Sequence, residues 1–366
     1  SEWRTIRAAD FIDFNPRLSL KKGDIATKVA MDKLKPFTKK IPETEKAEFN
    51  GGAKFCNGDT VMARITPCLE NGKTAYVDML DDGEIGFGST EFIVMRAKTG
   101  ISDPQFVYYT AINPVFRNVA IKSMVGSSGR QRVQQSVLEE LELSVPDLDE
   151  QGRIGDFLAR IDEKIALNDR INDNLQQQAQ AIYSSMFIDN PDPAWSHGHL
   201  SDLITVKYGK DHKKLADGIY PVYGSGGIMR YVERPLYNKE SVLIPRKGTL
   251  NNVMYVNQPF WSVDTMFYTE MKLPNVAKFV YHFVKAKDLA SMNAGSAVPS
   301  MTTDILNAME VVIPSASALE EFESLVAPMY EAMEANDVQS KALSQMRDTL
   351  LPKLMSGEID VSDIQL

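Results

Sequence analysis

The amino-acid sequence predicts an α+β protein with a pseudo-two-fold internal repeat, in which two α+β domains are separated by two long helices that form an antiparallel coiled coil. Two observations predict this fold class. The heptad pattern that contains Asn168 recurs in the segment that contains Asn336, and each copy follows a segment of short strand patterns separated by turns. The domains are expected at 1–145 and 191–313, the first helix at 146–190, and the second helix with a C-terminal tail at 314–366.

Each helix is predicted by positions that alternate at spacings of four and three residues, which is the a/d seam of a coiled coil. The first seam consists of Ile154, Leu158, Ile161, Ile165, Asn168, Asn172, Leu175, Ala179, Ile182 and Met186. The second seam is displaced from the first by one constant interval and consists of Phe322, Val326, Met329, Met333, Asn336, Ser340, Leu343, Arg347, Leu350 and Leu354. Arg347 is the one clear exception to the pattern, and both seams carry a polar pair near the middle.

The order of the chain favours antiparallel pairing. The first helix ends at Pro191-Asp-Pro193, where the second domain begins. The second helix must therefore run back if the two pair along their full length of about 50 Å. A two-fold relation about the middle would place Asn172 near Asn336 and Asn168 near Ser340, and such a polar layer can fix register. In the alternative, each helix packs only on its own domain, which leaves the matching polar pairs unexplained.

The two domain segments also repeat, as strand, loop, strand, helix, Gly-Ser loop, short helix and final strand. In the first segment the pattern comprises Gly58–Arg64, 66–73, Thr90–Met95, 104–119, 126–130 and the strand that enters Pro146. In the second it comprises Lys239–Arg246, 247–252, Thr265–Thr269, 275–289, 295–299 and the strand that enters Pro314. Short strands with turn signals and few helices are typical of α+β domains.

Composition excludes several classes of protein. Hydrophobic residues make up 43% of the chain, but no run approaches 18 apolar residues, so no membrane-spanning helix is expected. The first residues contain no apolar signal segment, and a cytoplasmic location is expected. Cys56 and Cys68 are too few for a disulfide framework or a zinc site, so we expect reduced thiols.

The formal net charge of −9 is unfavourable for a nucleic-acid partner when the chain is taken as a whole, but the charge is segregated. Residues 1–145 hold 20 Lys/Arg and 19 Asp/Glu, and residues 195–313 hold 13 and 10. The two helical segments, 146–194 and 314–366, hold only 4 and 3 basic residues against 10 acidic residues each. The excess of acidic residues therefore lies in the helical segments, and the domain segments are neutral to slightly basic.

Catalytic motifs are incomplete in this sequence. Asn113-Pro-Val-Phe116 resembles the Asn-Pro-Pro-aromatic element of amino-methyltransferases, but Val115 replaces the second proline and the stretch lies within a predicted helix. Asn71-Gly-Lys-Thr74 resembles the end of a P-loop, but Pro67 stands where its first glycine should be. We therefore expect neither a methyltransferase site nor a nucleotide site.

Metal ligands and acid–base groups are equally sparse. The histidines are His197, His199, His212 and His282. Only the His197-Gly-His199 pair has a suggestive spacing, and it is expected to be solvated. Asp162-Glu-Lys164 is expected to be a solvent-exposed face of the first long helix. The sequence therefore predicts a non-catalytic binding protein without a metal.

The chain resembles the specificity subunits of type I restriction–modification systems. The most specific match is Thr349-Leu-Leu-Pro-Lys-Leu-Met-Ser-Gly-Glu-Ile-Asp-Val361, followed by Tyr220-Pro-Val-Tyr-Gly-Ser-Gly-Gly-Ile228 and the domain–helix–domain–helix order. The resemblance implies two target recognition domains that each read half of a split site in double-stranded DNA. It also implies helices that act as a spacer and as a platform for two methyltransferase subunits.

The same resemblance places the cofactors in partner subunits. S-adenosylmethionine would be held by the methyltransferase subunits, and ATP and Mg²⁺ would serve a restriction subunit in complexes that contain one. Two alternatives stay open at this stage. One is a specificity subunit of a methylation-only or other phage-defence system, and the other is a coiled-coil scaffold that binds protein and has no role on DNA.

Loop residues able to contact phosphates or base edges are the candidate DNA-binding residues. In the first domain they are Arg64, Lys73, Ser127, Ser128, Arg130, Gln131 and Arg132. In the second domain they are Tyr223, Ser225, Arg230, Arg246, Lys247, Thr249, Asn251, Asn252, Ser296 and Ser300. Glycines within these loops would let the backbone approach DNA closely.

Overall fold

The computed structural model describes residues 3–292 and 300–364. The chain divides into two compact units, of which unit 1 comprises Ser1–Arg170 and Ala335–Leu366, and unit 2 comprises Ile171–Glu334. Each unit contains one α+β part and one stretch of each long helix. No helix of the described residues is both long enough and apolar enough to cross a membrane.

The α+β part of unit 1 is built from short strands and helices. In chain order they are β1 (Arg4–Arg7), α1 (Ala8–Phe11), β2 (Ile12–Phe14), β3 (Ile25–Val29), β4 (Glu45–Glu48), β5 (Ala53–Phe55), β6 (Thr60–Ala63), β7 (Thr74–Tyr76), β8 (Gly86–Gly88), β9 (Phe92–Ala97), α2 (Pro104–Ile112), α3 (Pro114–Lys122), α4 (Gln135–Glu139) and β10 (Glu142–Val145). They form the sheets β2-β9-β6-β7 and β4-β3-β8-β5 and the pair β1-β10.

The long helix α5 (Leu148–Ser184) follows, and its last turn widens into a π-helix at Ser185–Asp189. Unit 2 then contains β11 (Ser196–His199), α6 (Leu200–Leu203), β12 (Ile204–Tyr208), β13 (Asp217–Gly224), β14 (Gly227–Val232), β15 (Ser241–Pro245), β16 (Met254–Val256), β17 (Trp261–Ser262), β18 (Met266–Met271), α7 (Ala277–Lys285), α8 (Thr303–Asn307), β19 (Glu310–Ile313) and the second long helix, α9 (Ala316–Met355). Its sheets are β12-β18-β15-β16, β14-β13-β17 and β11-β19.

Strand pairing confirms the internal repeat. The four-stranded sheet β2-β9-β6-β7 has the same order and connections as β12-β18-β15-β16. The pair Ile12–Ala97 recurs as Ile204–Met271. The second copy is shorter than the first, because the interval from Ile12 to Ile204 is longer than that from Val145 to Ile313. The segments between the strands of the common sheet account for the difference, since they form a four-stranded second sheet in unit 1 and a three-stranded one in unit 2.

The two long helices pair in antiparallel fashion, as predicted. In unit 1 Asp162 of α5 pairs with Arg347 of α9, and Asn168, further along α5, lies beside Ser340, which is earlier in α9. The end of α9 is buried in the core of unit 1 through Leu351 and Leu354, although α9 begins in unit 2. The alternative in which each helix packs only on its own domain is therefore wrong.

Within unit 2 the paired helices are held by aromatic packing. Tyr183 near the end of α5 and Phe187 in the π-helix both pack against Phe322 near the start of α9, with ring centroids 6.2 and 5.3 Å apart. Phe279 of α7 joins this cluster, 4.8 Å from the Phe187 ring. Buried aromatic side chains contribute the largest apolar areas in such a core, so these contacts anchor the long helices to each other and to α7.

Two sequence expectations about the helices are corrected by the structure. Asp162, expected on a solvent-exposed face, is 5% exposed, because the buried guanidinium of Arg347 and the hydroxyl of Tyr109 bind its carboxylate. The helical stretch predicted at 104–119 is two helices, because Asn113 is extended and caps α3 by accepting a hydrogen bond from the Val115 N–H. Pro114 has no N–H to donate to the preceding helix, which explains the break.

Candidate nucleic-acid interface

In unit 1 two loops meet beyond the end of β6. The backbone N–H of Thr66 donates to the carbonyl of Gln131 at 3.0 Å, and Val133 N–H donates to the carbonyl of Arg64 at 2.8 Å. The Gly-Ser-Ser-Gly loop projects from this junction as a hairpin closed by Val125 and Arg132, whose backbones exchange hydrogen bonds of 3.0 and 2.9 Å. The loops 64–73 and 125–132, far apart in sequence, therefore form one surface.

The turn of this hairpin depends on glycine. Gly126 has φ +137°, and a Cβ there would lie 2.9 Å from the carbonyl oxygen of Arg130. Only glycine combines that backbone conformation with so close an approach. The turn leaves Ser127, Ser128 and Arg130 exposed, while Gln131 is half-buried at its base. These side chains are thus presented to solvent on a short, closed loop.

The cations of this surface differ in how they are held. Arg132 makes a bidentate ion pair with Glu91, at 2.7 Å for the shortest contact, and this interaction lowers the pKa of the Glu91 carboxyl. Lys73 donates to the carbonyl of Met31 at 2.9 Å. Arg64 donates to the carbonyl of Val133 at 3.3 Å, and its Nε is buried with no hydrogen-bond partner in the described part of the chain. Of these three cations, Arg132 is the one bound by a carboxylate, whereas Lys73 and Arg64 donate to backbone carbonyls.

The equivalent surface in unit 2 lies beyond the end of β15. Met301 N–H donates to the carbonyl of Arg246 at 2.9 Å, and the backbones of Lys247 and Ser300 form a bridge. The tip of the β13–β14 hairpin joins them, because the Asn252 amide donates to the carbonyl of Ser225 at 2.8 Å. Lys247 is exposed and Ser300 is half-buried. Ser296, also a candidate, lies outside the described residues.

The remaining candidates of unit 2 differ in their exposure and in whether another side chain binds them. Thr249 is exposed, and Asn251 is exposed but donates to Asp288 at 3.0 Å. Arg230 is tied to the exposed carboxylate of Asp217 at 2.6 Å. Tyr223 is only 9% exposed, and its hydroxyl accepts a hydrogen bond from Gln258.

Like Arg64, Arg246 has a guanidinium group that donates to a backbone carbonyl. Its guanidinium lies 5.3 Å from the centroid of the Tyr208 ring and donates to the carbonyl of Asp264 at 3.3 Å. Stacking on an aromatic face orients a guanidinium without neutralising it. Arg246 is therefore positioned but keeps its charge.

The polar layer of the long helices is also resolved. Asn168 is fully buried, and its amide nitrogen lies 2.9 Å from Oε1 of Gln339 and 3.1 Å from Oγ of Ser340, with the carbonyl of Asn336 at 3.4 Å. In unit 2 the Asn172 amide donates to the carbonyl of Met333 at 3.3 Å.

Sequence reasoning missed the partners that restrain these cations and amides. Glu91, Asp217 and Asp288 were not singled out, because each lies between 13 and 41 residues from the side chain it binds. It also missed two exposed apolar side chains just after the tip of the β13–β14 hairpin, Ile228 at 48% and Met229 at 60% exposure. The alternation of side chains along a strand predicts that one of the two is exposed. It does not predict that this side chain lies next to the tip of the hairpin.

The described residues contain no group of three or more His, Cys, Asp or Glu side chains that could hold a metal ion. The two cysteines are free thiols. The candidate residues of the loop surfaces supply guanidinium, ammonium, amide and hydroxyl groups, which are groups that contact phosphates and base edges.

This chain is similar in sequence to known DNA specificity proteins. The family model described as type I restriction modification DNA specificity domain matches residues 1–177 and 194–322. The HindI specificity subunit of Haemophilus influenzae is 22% identical over 417 residues, covering 82% of this chain and 86% of that protein. The MjaIX specificity subunit of Methanocaldococcus jannaschii is 24% identical over 288 residues, covering 67% and 66%.

A solved structure agrees with the fold. The type I restriction–modification S subunit from Mycoplasma genitalium superposes with a TM-score of 0.60 at 18% identity and covers 96% of each chain. At that identity the likeness concerns the fold alone. The family model matches most of the chain, once in each half, and so this chain belongs to the family of type I restriction–modification DNA specificity domains.

Proposed function

We propose that this chain reads a bipartite DNA site, one half with each unit, as the specificity subunit of a type I restriction–modification complex. The observation that carries the proposal is the repeated loop surface. In both units an arginine at the end of a strand lies beside a second loop, and hydroxyl or amide side chains surround it. The two clusters occupy equivalent places on equivalent sheets. Two copies of one reading surface in a single chain suit a target made of two separate half-sites.

The proposal divides the chain by role. Residues 1–145 and 191–313 are the two target recognition domains, and 146–190 and 314–366 are the spacer and the platform for methyltransferase subunits. Acidic residues are concentrated in the helical segments, where contact with phosphates would be unfavourable. The helices therefore suit protein partners, and the domains suit DNA.

In this proposal the catalytic steps are carried out by the partner subunits. Two methyltransferase subunits would hold S-adenosylmethionine, and a restriction subunit would use ATP and Mg²⁺. The incomplete motif at Asn113 supports a non-catalytic role, since that residue caps α3 and its side-chain oxygen is occupied by the Val115 N–H. The side-chain oxygen of Asn113 thus has a structural role as a helix cap.

A methylation assay tests the function directly. The chain, reconstituted with a methyltransferase subunit and S-adenosylmethionine, is incubated with random-sequence DNA, and modified adenines are mapped by sequencing. We expect methylation at a single motif of two fixed blocks separated by a gap of constant length, and none with either protein alone. Methylation without a bipartite motif, or none across all DNA tested, would refute the proposal and favour a protein-binding scaffold.

A matched exchange tests the assignment of one half-site to each unit. Replacing 191–313 with the corresponding segment of another specificity subunit should change one block of the motif and leave the other block unchanged. The reciprocal replacement of 1–145 is the control and should change the other block. A chimera in which both blocks change would contradict the division.

A further inference from the structure

Arg64 and Arg246 occupy the same position in the two units. The backbone N–H of Arg64 donates to the carbonyl of Glu91 at 2.9 Å, and that of Arg246 donates to the carbonyl of Thr265 at 2.8 Å. Each of these acceptors directly precedes the segment that becomes the neighbouring strand, β9 or β18.

The carbonyl groups of the two arginines are matched as well. Arg64 accepts from Val133 N–H at 2.8 Å, and Arg246 accepts from Met301 N–H at 2.9 Å. Val133 and Met301 are themselves equivalent in the repeat, because the interval between them is the interval between Asn168 and Asn336. Both sides of each arginine are therefore held by equivalent backbone contacts.

Neither arginine is neutralised by a carboxylate in the described part of the chain. Among the residues that the structure describes, the guanidinium groups of Arg64 and Arg246 donate only to backbone carbonyls, each at 3.3 Å, and the buried Nε of Arg64 has no hydrogen-bond partner. Glu91 lies near Arg64, but its carboxylate oxygens are bound by Arg132. Both side chains are half-buried and not enclosed, so the two positions retain a positive charge near the surface.

The other candidate cations are either paired with a carboxylate or lack a basic counterpart in the other unit. Arg132 is paired with Glu91, and Arg230 is paired with Asp217. Arg130 and Lys247 are exposed on loops, and their equivalents in the other half of the sequence, Val298 and Ile65, are not basic. Among the positions matched by these backbone contacts, Arg64 and Arg246 form the basic pair.

The residues around the two arginines differ between the units. The surface around Arg64 carries Ser127 and Gln131, whereas the surface around Arg246 carries Thr249 and Asn251. Two half-sites of different sequence require different base-reading side chains, but both have the same phosphate backbone. A residue common to both surfaces therefore suits the part of DNA that is common to both half-sites.

We propose that Arg64 and Arg246 are the matched phosphate contacts of the two units, which position each half-site without reading its sequence. The inference rests on the proposed function, since it assigns roles within the same DNA-binding surfaces. The surrounding hydroxyl and amide side chains would then read the bases. Arg64 and Arg246 are positioning residues in this scheme.

Salt dependence distinguishes a phosphate contact from a base contact. Each phosphate neutralised contributes about 0.9 to the slope of log affinity against log salt concentration. Removing one such arginine should therefore make the loss of affinity between about 50 and 200 mM salt roughly 3.5-fold smaller. The weakening at a fixed salt concentration should be the same on the target duplex and on an unrelated duplex.

The experiment measures binding of the full chain, in complex with its methyltransferase subunit, to fluorescent duplexes at four salt concentrations. Arg64→Gln and Arg246→Gln should each lower the slope by about 0.9, and the double variant by about 1.8, with the methylated motif unchanged. Arg4→Gln, which removes an exposed charge on β1, outside the loops and outside both long helices, is the control and should leave the slope unaltered.

Lysine variants keep the test decisive if a glutamine variant does not fold. Arg64→Lys and Arg246→Lys retain the charge, so a phosphate contact keeps its salt slope, whereas a bidentate guanine contact loses selectivity at one base pair. An unchanged slope in a folded glutamine variant, or an altered motif in a lysine variant, would overturn the inference and leave the proposed function intact. A wild-type complex that binds no duplex preferentially would overturn both.

Discussion

His282 lies in the centre of unit 2 and has no exposed surface. Its Nδ1 is 2.7 Å from Oε1 of Gln180, and its Nε2 is 2.9 Å from the hydroxyl of Tyr330. The tautomer protonated on Nδ1 donates to Gln180 and accepts from Tyr330, so both contacts are satisfied by a neutral ring. Burial lowers the pKa of His282 to about 4.

Stability should therefore fall as the pH is lowered through the range of this histidine. In the unfolded chain His282 takes up a proton near pH 6.5, whereas in the fold it resists protonation until about pH 4. Its contribution is present above pH 6.5 and is lost between pH 6.5 and 4, to a total of about 3 kcal/mol. Urea unfolding of wild type and His282→Gln at pH 7, 6 and 5 should show a shallower pH dependence in the variant; parallel profiles would contradict this account.

At the scale of the elements, Arg347 and Asp162 join α9 to α5 inside unit 1. The guanidinium donates to Asp162 Oδ1 at 2.6 Å, and the Tyr109 hydroxyl donates to the other carboxylate oxygen at 2.6 Å. Burial opposes the charge of Arg347, but Asp162 and Asp348 outweigh it, and the pKa of Arg347 is raised. The position that interrupts the apolar seam is thus a buried ion pair with a third partner from α2.

Breaking this pair should destabilise unit 1 strongly. Arg347→Leu leaves the Asp162 carboxylate buried without its counter-ion, so we expect a loss of about 3–5 kcal/mol in the free energy of unfolding. The double variant Asp162→Asn with Arg347→Leu should recover much of it, because the neutral amide oxygen still accepts from Tyr109. Urea unfolding followed by circular dichroism checks both, and a single variant within about 1 kcal/mol of wild type would refute the prediction.

The repeat does not copy this pair. At the interval that relates Asn168 to Asn336, the equivalent of Asp162 is Tyr330 and the equivalent of Arg347 is Ala179. In unit 2 Tyr330 contacts His282, and Ala179 belongs to the apolar core. The two units therefore use the same helical register but different chemistry to attach the helices to their sheets.

For the whole molecule, the continuous helices connect the two reading surfaces by a fixed number of residues. If they set the gap between the half-sites, deleting one heptad from each in register should shorten each helix by about 10 Å and the gap by about 3 base pairs. Residues 169–175 and 333–339 are a suitable pair, because Asn168 and Ser340 remain. The motif methylated by the variant gives the gap directly, and an unchanged gap would exclude a spacer role.

Deleting 169–175 alone is the matched control. It removes a heptad from α5 only and so shifts the seam of α5 against that of α9. We expect a less stable chain with little or no methylation, whereas the paired deletion keeps the seams matched and retains activity. Equal activity of the two variants would show that register between the helices is unimportant.

The fold class, the long helices and their antiparallel direction could all be predicted from the order of the residues. Periodicity and repetition are local or one-dimensional properties, and a seam that recurs at a constant interval is visible without coordinates. The correspondence of Arg64 with Arg246 was also visible, since both follow a short apolar strand.

Which polar side chains are neutralised or buried became clear only from the folded chain. The sequence predicts that Asp162 is a surface charge, whereas in the fold it binds Arg347, which is 185 residues away. Arg132 and Arg64 look alike in sequence, but Glu91 binds the first and leaves the second without a carboxylate partner among the described residues. Such pairings depend on loops that meet only after the sheet has formed, and their energy comes from distance and burial, which a linear pattern does not encode.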